Sequence, residues 1–272
     1  MTNVILINMG HYNFIKKGIA LLVFCFITFG LMSKNLSAQN KKIETKKNAE
    51  DENLLLSKVL LQLNLTEKDF KEQLYAEKIL PYNKALSIVV LPKIATSEID
   101  EYNNGFSEYD SYILLIDNKT GKIKSKFFES KSWSSDADVL SNIEIDTAPY
   151  LLSKNIRGFG IRVNYSGSSS PNPSHHTNFS IFIDEGKTLK RVLKDFPIST
   201  FGGEWDMDCA GEFEEIECSI LIDKEKTNQF NNLKIKHKIT KQVNHKIKNK
   251  CIEKKTITNK ITTLKYNKEE YN

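Results

Sequence analysis

The chain has 272 residues, of which 40% are hydrophobic, 27% charged and 10% aromatic, a composition typical of a globular protein and not of a disordered one. This length accommodates one large domain or two small ones, and it excludes a long repeat array and a multi-pass membrane protein. The formal net charge is +5, and only three of the 39 basic residues are arginines.

The first 38 residues have the organisation of a secretory signal peptide. Lys16 and Lys17 precede the apolar segment 18–32, and a polar stretch with a small residue at Ala38 follows. The apolar segment is shorter than the about 20 residues that a membrane-spanning helix needs. We therefore predict an exported protein, periplasmic or secreted, that is cleaved after Ala38. An uncleaved N-terminal anchor is the alternative.

A tether and a short helical segment are predicted next. Residues 39–52 are strongly charged and contain a single apolar residue, which is typical of a flexible tether. Residues 53–84 are predicted to be a short helical segment. Its first helix, near 51–63, has leucines at helical spacing; these are Leu56, Leu60 and Leu63.

A second helix is predicted from Thr66 onward. Thr66 and Asp69 have the spacing of a capping box, in which each side chain accepts a backbone N–H of the other residue. Phe70 and Leu74 then share one helical face, and Pro81 ends the helical part. Helices this short are marginal in isolation, so both are expected to pack on a larger structure.

Residues 85–272 have the two-residue periodicity of β-strands. Two hairpin turns are indicated, one at 118–121 and one at 184–186, each ending in glycine. Many strands without intervening helices predict a mainly-β domain, either an antiparallel β-sandwich or an open barrel. The predicted strands are 86–91, 111–117, 122–128, 141–147, 157–165, 178–184, 188–194 and 213–222.

The C-terminal segment 231–272 carries most of the positive charge. Its twelve lysines and three glutamates give it a net charge of +9, which leaves −4 for the rest of the chain. Apolar residues alternate with lysines from Leu233 to Val243, and 248–250 is a plausible turn. We predict a long hairpin with one apolar face against the body and one lysine-rich face in water. Exposed lysines also protect a sheet edge from pairing with other chains.

Export would place the cysteines in an oxidising environment. Three cysteines lie beyond the predicted signal peptide, so one disulfide and one free thiol are expected outside the cytosol. Cys218 alternates with isoleucines on one strand face, which favours a buried, unpaired role. The longer loop, Cys209–Cys251, is favoured over Cys209–Cys218. A zinc site is not indicated because no metal-ligand spacing is present, and no cofactor is predicted.

The segment 202–211 contains the densest group of acidic side chains. In an extended chain, three carboxylates would share one face at two-residue steps, which could hold Ca²⁺ or supply paired carboxylates for a hydrolase. A glycine-rich turn fixed by Trp205 and a disulfide is the simpler interpretation, with Trp205 and Met207 pointing into the core. The three carboxylates are Glu204, Asp206 and Asp208.

The loop 166–177 is rich in serine, glycine and proline and ends in two adjacent histidines. His175 and His176 would point to opposite sides of an extended strand, which weakens a shared metal or catalytic role. We interpret this loop and 201–211 as a recognition end, with Glu204, Trp205 and these histidines among the candidate binding residues. A hydrolase using the acidic group with one of the histidines is the alternative.

The lysine-rich hairpin is the candidate partner surface. It could face an anionic surface or an envelope component. Specific nucleic-acid binding is not expected, because the segment lacks the arginine forks that recognise phosphates and the interleaved aromatics that stack on bases. The alternative is that the lysine face is simply solvated and protects the sheet edge.

Four groups of residues carry a resemblance: Asp146 to Tyr150, Phe159 to Ser169, Gly203 to Asp206 with Cys209 to Gly211, and Thr263 to Tyr266 with Tyr271. Over about residues 85–271 they resemble a group of exported bacterial proteins with no assigned activity. A late cysteine is common in that group, and Cys251 matches it, so the resemblance supports the domain boundaries and the disulfide but no function. The main functional hypothesis is a non-enzymatic binding or interaction module, based on export, a loop-rich β scaffold and the absence of a coherent catalytic set.

Overall fold

Residues 54–99 and 105–272 are described by a computed structural model of the protein. The chain divides into two units, Met1–Ser57 and Lys58–Asn272, and the second unit contains both β-sheets. The predicted signal peptide and the tether at 39–52 lie outside the described residues. A first helix, α1, occupies 54–63, as its leucine spacing predicts.

The predicted second helix is wrong. Residues 66–80 instead form two 3₁₀ turns, Glu67–Asp69 and Glu72–Leu74, followed by a strand. The predicted contact between Thr66 and Asp69 does form, since the Thr66 N–H donates to Asp69 Oδ2 at 2.6 Å. Phe70 then turns extended and bridges to a neighbouring strand, so burial of its ring overrides the local helical signal.

Eleven strands account for most of the described chain. All eight strands that the periodicity predicts with residue bounds are present. Most of them are longer than predicted, because they continue past the region that is buried. The strands are β1 (Ala76–Leu80), β2 (Asn83–Ile99), β3 (Gly105–Asp117), β4 (Ile123–Ser135), β5 (Asp138–Ser153), β6 (Ile156–Gly167), β7 (Ser174–Asp184), β8 (Leu189–Trp205), β9 (Gly211–Thr227), β10 (Phe230–Ile247) and β11 (Lys250–Leu264).

Each sheet is an antiparallel meander in which sequence neighbours pair. The small sheet has the order β1-β2-β3-β4, and the large sheet has the order β11-β10-β9-β8-β7-β6-β5. Gly121 and Gly186 take positive φ in the β3–β4 and β7–β8 turns, as the hairpin signals predict. Both sheets are open, and the architecture is the predicted mainly-β sandwich.

The first hydrophobic cluster lies between the two sheets. It joins β2 and β3 of the small sheet to β5 and β6 of the large one, through residues such as Ile88, Ile113, Ile143 and Phe159. Trp133, whose location the sequence did not indicate, is buried in this cluster. Burial of these faces is the main favourable term in folding of the sandwich.

The second hydrophobic cluster lies on the opposite face of β7. Phe182 packs in the first cluster, whereas Phe179 and Ile181 alternate into the second. Leu233 and Ile235, at the beginning of β10, complete it together with residues near the C-terminus. The root of the C-terminal hairpin therefore belongs to the core, as predicted.

An ion pair connects the two sheets at their margin. Glu129 on β4 accepts two hydrogen bonds from the guanidinium of Arg191 on β8, at 2.7 and 2.8 Å. The hydrogen bonds from Arg191 outweigh burial and lower the pKa of Glu129 to about 2. A bidentate arginine–carboxylate pair is geometrically specific, so it also fixes the relative position of the two strands.

A buried polar network holds β5 against β6. Asp146 accepts hydrogen bonds from Arg162 at 2.6 Å, from the Tyr150 hydroxyl at 2.9 Å and from the Ala148 N–H at 2.9 Å. Burial alone would raise the pKa of Asp146, but these three donors lower it. Much of the first resemblance motif therefore has a structural role.

The strands continue beyond both clusters as a sheet that the body does not cover. We call this part the distal sheet, and every residue in it is exposed or half-buried. It consists of 174–177, 199–205, 211–217, 238–247 and 250–259, joined by continuous antiparallel pairing. The predicted apolar face of the hairpin is thus buried only at its root, because the body ends before the hairpin does.

Candidate functional site

The two predicted recognition loops meet at the end of the distal sheet. The Trp205 indole N–H donates to the carbonyl of Ser170 at 2.7 Å, and the Trp205 backbone N–H donates to the carbonyl of Pro171 at 3.0 Å. Trp205 therefore holds the 166–177 loop against the 201–211 loop. Met207 was expected to point into the core with Trp205, but it is 58% exposed.

The three predicted carboxylates have separate structural partners. Asp206 accepts hydrogen bonds from the backbone N–H groups of Asp208 and Cys209, and these bonds lower its pKa. Asp208 forms an ion pair with Lys246 at 2.7 Å. Glu204 lies opposite another glutamate in the β8–β9 register. Asp206 and Asp208 therefore stabilise a turn and fasten it to the hairpin.

A metal centre is not formed in the part of the chain that the structure describes. No group of three or more His, Cys, Asp or Glu side chains in 54–99 and 105–272 is close enough to hold a metal ion. At the predicted Ca²⁺ site, Oδ1 of Asp206 instead accepts the backbone N–H groups of Asp208 and Cys209.

The two histidines lie on opposite sides of β7. The ring of His175 stacks on Phe201 with centroids 4.8 Å apart, and the ring of His176 stacks on Tyr165 at 4.6 Å. Phe201 stacks in turn on Phe213 of β9 at 6.0 Å. The histidines thus continue two separate aromatic rows, and among the described residues neither forms a hydrogen bond or ion pair with the predicted carboxylates.

The disulfide joins Cys209 to Cys251, the pairing favoured from the sequence. It connects the loop between β8 and β9 to the first residues of β11 and so closes the end of the distal sheet. Cys218 is free, and burial raises its pKa. Its Sγ lies 3.2 Å from Nδ1 of His237, whose Nε2 lies 2.8 Å from the Thr262 hydroxyl. Both ring nitrogens of His237 therefore have side-chain partners.

The lysine-rich face is only partly a free positive surface. Acidic residues on neighbouring strands and on the hairpin itself neutralise five of the twelve lysines of the C-terminal segment, with N–O distances of 2.7–2.9 Å. Surface pairs of this kind contribute little stability, but they do remove free charge. The pairs are Lys234–Asp223, Lys238–Glu217, Lys241–Glu214, Lys246–Asp208 and Lys255–Glu253.

Three of the seven lysines of the C-terminal segment without an ion pair among the described residues lie at the tip of the β10–β11 hairpin. Lys248 lies in the turn, and Lys250 and Lys254 follow on β11; all three are exposed, and the described residues give them no carboxylate partner. Cross-strand register places Lys250 and Lys254 on the same face as three exposed aliphatic side chains. These are Val243, Ile247 and Ile252, which are 40–49% exposed.

We call these six residues the tip patch. Its lysines belong to the predicted lysine-rich face, but Val243 was predicted to lie on the face buried against the body. The signal that could have found the patch is the length of the hairpin. A strand of 18 residues spans about 60 Å, which is far longer than a small sandwich can cover.

The described residues contain no helix that is both long and apolar enough to cross a membrane. Comparisons with protein-family models, with curated proteins and with solved structures find no match for the chain.

Proposed function

We propose that the protein is exported and acts as a non-enzymatic binding module that attaches to an anionic membrane surface through the tip patch. The observation that carries this proposal is the combination of three unpaired lysines with three exposed aliphatic side chains at one end of a projecting sheet. The resemblance to exported bacterial proteins and the signal-peptide pattern are consistent with a membrane-facing location and remain predictions.

The chemistry of the tip patch suits a lipid headgroup region. A lysine near an anionic bilayer gains about 1 kcal/mol from the negative surface potential. An isoleucine moved from water into the interface gains further free energy from burial of its apolar surface. Lys248 follows Ile247 in the chain and Lys250 lies opposite it on β11, so charges and apolar groups can engage the surface together.

The distal sheet holds this tip firmly. The Cys209–Cys251 disulfide, the Lys246–Asp208 ion pair and the Trp205 contacts all lie close to it. A rigid binding surface loses less conformational entropy when it binds than a flexible one. A stiff tip beyond the body can therefore reach a membrane while the body stays in water.

We do not propose the hydrolase considered from the sequence. Asp206 and Asp208 are engaged in a turn and an ion pair, and His175 stacks on Phe201. A catalytic set must converge on one substrate position, and the contacts of these side chains separate them.

Co-sedimentation with vesicles tests the proposal. We expect the full chain to bind phosphatidylcholine vesicles that contain phosphatidylglycerol far more strongly than vesicles of phosphatidylcholine alone. The charge-dependent part should fall steeply with added salt. The triple variant K248Q/K250Q/K254Q should lose roughly a hundredfold in affinity, at about 1 kcal/mol for each lysine.

A matched control removes the same charge elsewhere. Lys119, Lys122 and Lys124 are exposed residues in and after the β3–β4 turn, so K119Q/K122Q/K124Q should bind like the wild type. The wild type and both variants have the same N-terminal residues, so differences between them report on the substituted lysines. Equal loss in both triple variants, or binding that ignores phosphatidylglycerol, would refute the proposal.

A further inference from the structure

A separate cavity of about 280 Å³ opens at one margin of the sandwich, between the two sheets. Its floor is apolar and continues the first hydrophobic cluster. The turns between β1 and β2 and between β5 and β6 form part of its rim, together with the end of β7. The floor consists of Leu80, Leu86, Leu115 and Phe159.

A guanidinium with an unused donor lies in this cavity. Arg157 is stacked on the ring of Tyr82, with its guanidinium carbon 3.8 Å from the ring centroid. One of its terminal nitrogens donates a long hydrogen bond of 3.4 Å to the carbonyl of Thr147. Its Nε is buried and has no hydrogen-bond partner among the described residues. Nε is closed off from solvent, so a ligand can reach the guanidinium only through its terminal nitrogens, whose one described hydrogen bond is long. An acceptor placed there would gain a charge-assisted hydrogen bond.

A carboxylate lies on the same rim. Asp184 accepts hydrogen bonds through Oδ1 from the Ser125 hydroxyl and from the Gly186 N–H. Its Oδ2 accepts none of the described hydrogen bonds, and it forms no described ion pair with Arg157. The charges of Arg157 and Asp184 both act on the Tyr82 hydroxyl, whose pKa is raised mainly by burial. The cavity therefore presents one cation and one anion that do not neutralise each other.

We propose that this cavity binds a small zwitterion with an apolar body, the chemistry of a free apolar amino acid. Its carboxylate would accept hydrogen bonds from Arg157, its ammonium would donate to Asp184, and its side chain would lie on the leucine and phenylalanine floor. The volume is close to the lower end of the range typical of small-molecule sites, which have apolar walls and a few convergent polar groups.

Both charges favour this ligand class over simpler ones. A plain carboxylate would pair with Arg157 but would bring its negative charge towards Asp184. A plain amine would pair with Asp184 but would bring its positive charge towards Arg157. An uncharged apolar molecule would leave both Arg157 and Asp184 without a charged partner. The inference is independent of the tip patch, which lies on other strands.

Isothermal titration of the full chain with L-phenylalanine and L-leucine tests this inference. We expect saturable binding of at least one of them. Phenylacetate, which lacks the amine, and phenethylamine, which lacks the carboxylate, should each bind about tenfold or more weakly, because each loses one charge-assisted interaction. No binding at millimolar amino acid, or equal binding of all three phenyl compounds, would overturn the inference.

Variants of the chain connect that binding to the cavity. R157Q should weaken L-phenylalanine about tenfold or more, and D184N should reduce the preference for L-phenylalanine over phenylacetate. Lys154 lies in the same β5–β6 turn without lining the cavity, so K154Q is the control and should bind like the wild type. D184N keeps the Oδ1 acceptor of its turn, which provides a folded variant if R157Q fails to fold. Unchanged binding in D184N together with unchanged selectivity would contradict the proposed role of Asp184.

Discussion

The body and the distal sheet are built from the same strands but are stabilised differently. In the body, the strands bury apolar residues on both faces of β7, and the largest side chains there are inaccessible to solvent. In the distal sheet, the same backbone pairing continues with every side chain at least partly in water. Antiparallel pairing therefore continues well beyond the core that supports it.

The distal sheet replaces burial by local connections. A disulfide, a tryptophan that joins two loops, and ion pairs between neighbouring strands hold it together. These connections order the sheet without covering its faces, so its side chains remain available for contact. Burial therefore stabilises the body, whereas covalent and polar connections hold the distal sheet together.

The largest effect should come from truncation in the body. Phe179 is fully buried in the second cluster, where it packs across Gly160. Phe179→Ala should lower the free energy of unfolding by about 4 kcal/mol, because it removes apolar contacts and leaves a cavity. Chemical denaturation followed by tryptophan fluorescence would measure this change.

Ile257 in the distal sheet is the matched control. Its side chain is 58% exposed, so Ile257→Ala should change the free energy of unfolding by no more than about 0.5 kcal/mol. If both truncations cost the same, the distal sheet would contribute to stability as much as the body does, and the division between the two regions would be wrong.

The disulfide should have the next largest effect. It closes a loop with a sequence separation of 42 residues, and the chain-entropy treatment gives about 4 kcal/mol as an upper value for such a loop. The double variant C209S/C251S should be less stable by about 3 kcal/mol. Hydrogen exchange should show the fastest opening at the tip of the β10–β11 hairpin, because the disulfide lies there.

Cys218 provides the comparison for this variant. It is free and only partly buried, so C218S should leave exchange at the hairpin tip unchanged. A uniform increase in exchange throughout the body of C209S/C251S, with no preference for the tip, would show that the disulfide supports the whole fold instead of the distal sheet.

The ion pair between the sheets should have a moderate and pH-dependent effect. Glu129 has a pKa of about 2 in the folded protein and about 4.5 when unperturbed. Because its folded pKa is depressed, its stabilisation is complete above the unfolded value and is lost as the pH falls through the folded value. Glu129→Gln should therefore cost about 2 kcal/mol near neutral pH.

The pH window checks the sign of that effect. The difference in unfolding free energy between the wild type and Glu129→Gln should shrink as the pH falls from about 5 to about 2. Denaturant titrations at several pH values would measure it. A difference that stays constant over this window would show that Glu129 acts by packing and not through its charge.

Period-two alternation made the strands and the sandwich class predictable. In β5, the buried Ile143 and Ile145 alternate with exposed polar residues, whereas β2 and β3 are buried on both faces and contain short apolar runs. Both patterns are typical of strands, so the eight strands could be placed. The lengths of the strands could not be predicted, because the outer parts of β8 to β11 lie beyond the body. There, neither face is buried, so the order of apolar and polar residues no longer follows burial. The second helix failed for a related reason: Phe70 and Leu74 are buried by distant strands, which no local pattern reveals.

The candidate sites were predictable only where the contacts are local or covalent. The Cys209–Cys251 pairing was favoured because Cys218 alternates with isoleucines on one strand face. The two loops were assigned to one recognition end, but Trp205 was predicted in the core, whereas it joins the two loops. The neutralisation of the lysines by β9 depended on register across strands, which the sequence analysis did not assign. The cavity at Arg157 joins residues more than 70 positions apart, and that distance leaves no sequence signal.

The smallest effect should come from an ion pair within the distal sheet. Lys238 and Glu217 lie 2.7 Å apart, but both side chains are about half exposed, so water screens the pair and side-chain ordering offsets its attraction. Lys238→Gln should therefore leave the melting temperature unchanged within error, in contrast to Glu129→Gln. Its effect should instead be on surface charge, because Glu217 would lose its partner. If Lys238→Gln lowers the melting temperature as far as Glu129→Gln does, ion pairs support the distal sheet as strongly as they join the two sheets of the body.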